Sequence, residues 1–154
     1  MRPTTSLLLL LLLSVLPSQA GHKPPPIILR VHVQTAGEGL PATMATTISL
    51  PPNGEQIQIR ALPEATEHDL IDVQPNKDGT IRLFFDHQGQ VNLNAATGDN
   101  QGRILVLLIN GYVVYAPVID EQITNGELDL PHPLNPEVVK LLQEVAKLNV
   151  KEAR

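Results

Sequence analysis

A chain of 154 residues with 42% apolar side chains is long enough to bury one sizeable core. Its formal charge of −5 offers no basic surface to nucleic acid or anionic lipid. It contains no cysteine, which excludes disulfides and thiol chemistry, and its aromatics are only two Phe and two Tyr, too few for a base-stacking platform.

The first twenty residues read as a cleavable export signal. Arg2 precedes an apolar run from Leu7 to Leu16 that breaks at Pro17. That run is about ten residues, against the roughly 20 that span a bilayer. Ser18-Gln19-Ala20 places small residues three and one positions before a cut, as a signal peptidase requires. Cleavage after Ala20 is expected to leave 134 of the 154 residues, starting at Gly21, with a charge of −6 once Arg2 is gone. No later apolar stretch is long enough to span a membrane, so a periplasmic or extracellular protein is expected. Residues 21–26 include Pro24-Pro25-Pro26 and read as a stiff spacer, and residues 27–150 as one domain.

From Ile27 the pattern alternates: Ile27, Leu29, Val31 and Val33 against Arg30, His32 and Gln34, a strand with one buried face. Residues 35–43, with Gly37, Gly39 and Pro41, read as a loop. Residues 46–50 and 56–61 flank Pro51-Pro52-Asn53-Gly54 and predict a β-hairpin with Ile57, Ile59 and Ala61 facing inward. Thr66-Glu67-His68-Asp69 has the form of a capped helical turn, with Leu70, Ile71 and Val73 tucked behind it. Ile81, Leu83 and Phe85 alternate as a further strand. Residues 88–96 predict a short helix that buries Val91 and Ala95 and stops at Gly98.

Ile104 to Ile109 is continuously apolar, the pattern of a strand covered on both faces. Asn110-Gly111 turns the chain into a return strand, Tyr112 to Ala116. Pro117 cannot donate a ladder hydrogen bond, so that strand ends, bulges or lies at an edge. Asn125-Gly126 makes another turn before residues 127–130. Asn135 caps a last helix with Pro136 at its first position, and Val138, Leu141, Leu142, Val145 and Leu148 form its apolar face, with Lys140 and Glu144 opposite. The fold class is therefore α+β: a mostly antiparallel sheet with hairpins, one or two short helices and a C-terminal amphipathic helix packed on one face.

Catalytic chemistry finds little support. Ser49 is the one serine left after cleavage and lacks the Gly-x-Ser-x-Gly elbow. His22, His32, His68, His87 and His132 show no metal-ligand spacing. The pairs His68-Asp69 and Asp86-His87 would form a site only if the fold gathered them. Asp120-Glu121 follows a strand, but neighbours there point to opposite faces. Gly37-Glu38-Gly39 lacks the rest of a phosphate loop, and residues 98–102 lack the ligands of a calcium loop. No metal and no cofactor are expected.

Asn100-Gln101-Gly102-Arg103, the apolar strand, Asn110-Gly111, Ala116-Pro117-Val118-Ile119, Ile123, Gly126 and the terminal helix together resemble the periplasmic head subdomain of the SecD protein-export subunit. The resemblance covers residues 80–148. Asn110 stands where that family has aspartate, Tyr115 where it has a small residue, and Asn125-Gly126 where it has a glycine pair. The matching stretch includes none of the membrane helices on which proton-driven export depends. The resemblance implies an α+β fold, an extracytoplasmic location and a surface for extended or unfolded polypeptide. A non-catalytic binding module with Tyr112 and Tyr115 on a docking edge is the leading expectation. A structural or accessory subunit of an envelope assembly is the alternative, and a hydrolase with an unrecognised carboxylate or histidine site a more distant one.

Overall fold

The computed structural model describes residues 27–35, 41 and 43–153. The expected signal segment, the proline spacer and Gly37-Glu38-Gly39 lie outside the described residues. Among the described residues nine strands, two helices and a 3₁₀ turn follow in the order β1 (Leu29–Val33), β2 (Ala45–Leu50), β3 (Glu55–Arg60), β4 (Ala65–Thr66), the turn (Glu67–Asp69), β5 (Leu70–Pro75), β6 (Ile81–Phe85), α1 (His87–Asp99), β7 (Leu105–Ile109), β8 (Tyr112–Tyr115), β9 (Glu127–Leu130) and α2 (Pro136–Glu152). Every strand pairing among the described residues is antiparallel. The strands form sheets ordered β4-β1-β7-β8, β5-β6-β9 and β2-β3. The α+β class read from the sequence is the class found.

β7 is buried on both sides, as its unbroken apolar sequence predicts. Leu105, Leu107 and Ile109 join Leu29, Val31 and Val33 of β1 in the main core, with Leu83, Leu93 and Leu142. Val106 faces the other way and packs with Leu50, Ile57 and Ile59 of the β2–β3 hairpin. That hairpin therefore lies over the sheet face opposite the helices.

This cover explains a departure at His32. Alternation places His32 on a polar face, yet it is only 4% exposed. Its Nδ1 lies 2.8 Å from the Arg60 carbonyl oxygen on β3. Burial, assisted by the Arg30 cation, pushes the imidazole below its ordinary range; the Arg60 carbonyl and the Glu64 charge oppose this more weakly. The folded chain thus binds the proton more weakly than the unfolded chain. The stabilising contribution is present above about pH 6.5 and is lost as pH falls through that value toward the lowered folded-state pKa. Urea midpoints are expected to drop between about pH 7.5 and about pH 5.5, and to drop less in His32→Gln. An equal drop in both proteins would assign the effect elsewhere.

The 3₁₀ turn has the predicted cap. The Thr66 side chain accepts from the His68 N–H, and the Asp69 side chain accepts from the Thr66 N–H at 2.7 Å. Buried Glu67 accepts the Leu29 N–H at 3.0 Å and so ties the turn to β1. Leu70 and Val73 are buried, but Ile71 is 40% exposed. A register shift between Leu70 and Asp72 in the β5–β6 pairing turns Ile71 outward.

α1 is rotated from its predicted face, whereas α2 keeps Val138, Leu141, Leu142 and Val145 against the core and departs at Leu148. α1 buries Gly89, Leu93, Ala96 and Thr97, and leaves Val91 and Ala95 exposed. Gly89 permits the close approach, since a Cβ there would lie 2.9 Å from that of Phe85. Buried Thr97 donates to the Leu93 carbonyl at 2.7 Å and accepts the Ile123 N–H at 2.9 Å. Gly98 is inside α1, which runs one residue further to Asp99 and is capped by Asn100.

α2 is capped as expected: the Asn135 side chain accepts the Glu137 N–H, and Pro136 opens the helix. The helix packs on β5 and the 3₁₀ turn, burying Leu142, Val145 and Ala146. Leu148 is 53% exposed. The Asn149 amide donates to the Glu67 and Leu70 carbonyls at 2.7 and 2.8 Å, which holds position 149, not 148, against the sheet.

Candidate functional site

The return strand β8 stands at the end of the four-stranded sheet, beside β7 and with no strand on its outer side among the described residues. Asn110 (φ 50°) and Gly111 (φ 83°) form the hairpin turn that leads into it. Both residues need positive φ, which matches the right-handed twist of the flanking strands.

Residues three apart on a regular strand face opposite ways. Tyr112 and Tyr115 do not, because β8 carries one extra residue. Tyr112 stands opposite Ile109, Val113 opposite Leu108, and Tyr115 opposite Leu107, with the register shifted between Leu108 and Leu107. By register both tyrosines fall on the side of Ile109 and Leu107, while Val113 packs with the hairpin cluster and exposed Tyr112 also borders a hollow with Leu50, Pro51 and Pro52 of that hairpin. Pro117 then keeps its acceptor role: its carbonyl takes the Leu105 N–H at 2.9 Å, and pairing continues through Ile104 and Val118. The three alternatives that proline raised are met together: a bulge, an edge and the end of the regular strand.

The two tyrosines differ in burial. Tyr112 is 77% exposed. Tyr115 is half-buried against the main core. Burial, with the Asp120 and Asp129 charges nearby, pushes its phenol above the ordinary range, so it remains a hydrogen-bond donor. Tyr115 also lines a cleft of about 390 Å³ between the continuation of β8, residues 117–125, and the edge strand β9. Asp120, Glu121, Glu127 and Asp129 border this cleft. Arg82 of β6 engages Asp129 at 2.6 Å and Glu127 at 3.2 Å.

Two of the other singled-out carboxylates, Asp69 and Asp86, serve as caps. Asp69 and Asp86 lie side by side, with the Asp86 N–H on the Asp69 carbonyl at 2.7 Å. Each carboxylate is engaged in a cap: Asp69 at the 3₁₀ turn and Asp86 on the Gly89 N–H at 2.8 Å. His68 and Asp86 line a cleft of about 420 Å³ with Ile71, Asn149 and Val150, but Asp69 and His87 do not reach it. Among the described residues no group of three or more His, Asp or Glu is placed to hold a metal ion. Ser49 pairs with Gln56 in the hairpin, on an exposed face. Sequence reasoning named Tyr115 and Asp120-Glu121 but not the cleft they border with Glu127 and Asp129, and it named His32 but not its burial.

Comparison with known proteins agrees with this architecture. No protein-family model and no curated protein sequence matches the chain. Among solved structures it is similar to SecDF, a membrane component that enhances protein export, with a TM-score of 0.55 and 19% identity over 78% of this chain and 61% of that one. It is also similar to SecDF in its super-membrane-facing form, with a TM-score of 0.53 and 20% identity over 79% of this chain and 18% of that one. The fold is SecDF-like, and the chain spans less than two thirds of either structure. Among the described residues no helix is long and apolar enough to cross a membrane.

Proposed function

We propose that this chain is an exported, non-catalytic binding module, a SecD head-like domain that docks extended or unfolded polypeptide along the outer edge of β8. The observation that carries the reading is the bulged edge strand, with Tyr112 exposed and Tyr115 on the same face. An edge offers unpaired N–H and C=O groups to an incoming strand, and tyrosine adds apolar area with a polar tip. The signal-like residues 1–20 support export to the periplasm or beyond, with cleavage after Ala20. The SecDF-like fold supports a part in handling exported polypeptide.

Such an edge should bind weakly, with dissociation constants of micromolar or above, about −8 kcal/mol or less favourable. Titration of a labelled unfolded protein should show this for the parent and a loss of at least about tenfold for the folded double variant Tyr112→Ala, Tyr115→Ala. No binding by the parent, or equal binding by the variant, would remove the site.

A further inference from the structure

A third cleft, of about 400 Å³, opens between the β2–β3 hairpin and the β1–β7 face, away from the β8 edge. Ile28, Ile48, Ile59 and Leu108 give it apolar walls, and Arg30 and His32 of β1 bring basic nitrogens to it. Its volume is at the small end of ligand cavities, about 300–1,000 Å³.

Two features of these basic groups define an occupant. Arg30 is exposed and makes no ion pair among the described residues. His32 is 4% exposed, and its Nδ1 is engaged by the Arg60 carbonyl. A carbonyl only accepts, so Nδ1 carries the proton and Nε2 is left as a bare acceptor. No hydrogen bond to Nε2 is made by the described residues. Nε2 is not among the buried side-chain atoms left without a partner, so it is reachable from the cleft, where a ligand N–H can take it up. Arg30 and His32 are two residues apart on one face of β1, about 6.7 Å along the strand. The cleft therefore offers an acceptor, a cation for a carboxylate, and an apolar pocket between sheet and hairpin.

We propose that this cleft binds the free C-terminal end of a polypeptide whose last residue is aliphatic. The terminal carboxylate pairs with Arg30, the last amide N–H donates to His32 Nε2, and the aliphatic side chain enters among Ile48, Ile59 and Leu108. An arginine fork suits a carboxylate, and the apolar walls of the cleft suit the aliphatic side chain. The site stands independently of the β8 edge.

The test is titration of the purified protein with an acetylated hexapeptide ending in Val-Leu, as free acid and as C-terminal amide, and with a medium-chain fatty acid. The acid should bind at least about tenfold more tightly than the amide or the fatty acid. Binding should shift the ¹⁵N resonance of His32 Nε2. Arg30→Gln, on an exposed side chain, should reduce the acid to the amide's affinity and leave the amide unchanged. The Tyr112→Ala, Tyr115→Ala variant should bind the acid normally, which separates this site from the edge. Equal affinity for acid and amide, a fatty acid as tight as the peptide, an unmoved Nε2 resonance, or no binding at millimolar peptide would each overturn the proposal.

Discussion

Leu107→Asp is expected to abolish the folded state under conditions where the parent is fully folded. Leu107 is 1% exposed at the centre of β7 and packs in the main core with residues from both helices and from both larger sheets. Its register partners are Val31 on β1 and Tyr115 on β8. An aspartate there would leave an unpaired carboxylate among aliphatic groups or force it to take up a proton. Either outcome costs several kcal/mol, against a total stability of about 5–15 kcal/mol for a domain. Urea unfolding followed by far-UV circular dichroism measures it. A midpoint near the parent's would mean that β7 is not buried.

Leu142→Ala should have the next largest effect, a loss of about 2–5 kcal/mol. Leu142 is 0% exposed, at the centre of the α2 stripe that packs on β5. Truncation leaves a cavity that the helix cannot close by shifting, because Gln143 and Asn149 fix its height through bonds to the Val73, Glu67 and Leu70 carbonyls. Leu148→Ala is the control: at 53% exposure it should cost well under half as much. Equal losses at 142 and 148 would restore the helix face expected from periodicity alone.

That contrast shows what the sequence could and could not reveal. β7 was legible because six apolar residues in a row leave no solvent face, and the β8 hairpin because Asn110-Gly111 supplies two positive-φ positions. The capped 3₁₀ turn and the start of α2 were legible because capping is local. The face of α1 and the end of the α2 stripe were not, because polar residues occupy buried positions by satisfying backbone groups at a distance. Asn149 reaches carbonyls 79 and 82 residues away, and Thr97 accepts an N–H from 26 residues away. The short strands β4 and β5 went unread because a two-residue strand has no period, and the shift at Asp72 breaks the alternation of the other.

The candidate edge was half legible. Pro117 marked β8 as bulged, terminal or at an edge, and it is all three. Nothing in Tyr112-Val113-Val114-Tyr115 announces that the extra residue falls between the tyrosines and aligns them. His32 was unreadable for a related reason: its burial depends on a hairpin that folds back over β1, a contact between chain segments that alternation does not encode.

Amide hydrogen exchange tests β8 as the polypeptide-docking edge most directly. The protein would be pulse-labelled alone and with saturating unfolded polypeptide. Strand addition should slow exchange at β8 amides that face away from β7, between Tyr112 and Tyr115, and leave the β2 and β9 edges unchanged. Unchanged β8 exchange under saturation, with slowing at β2 or β9 instead, would contradict a docking role for β8.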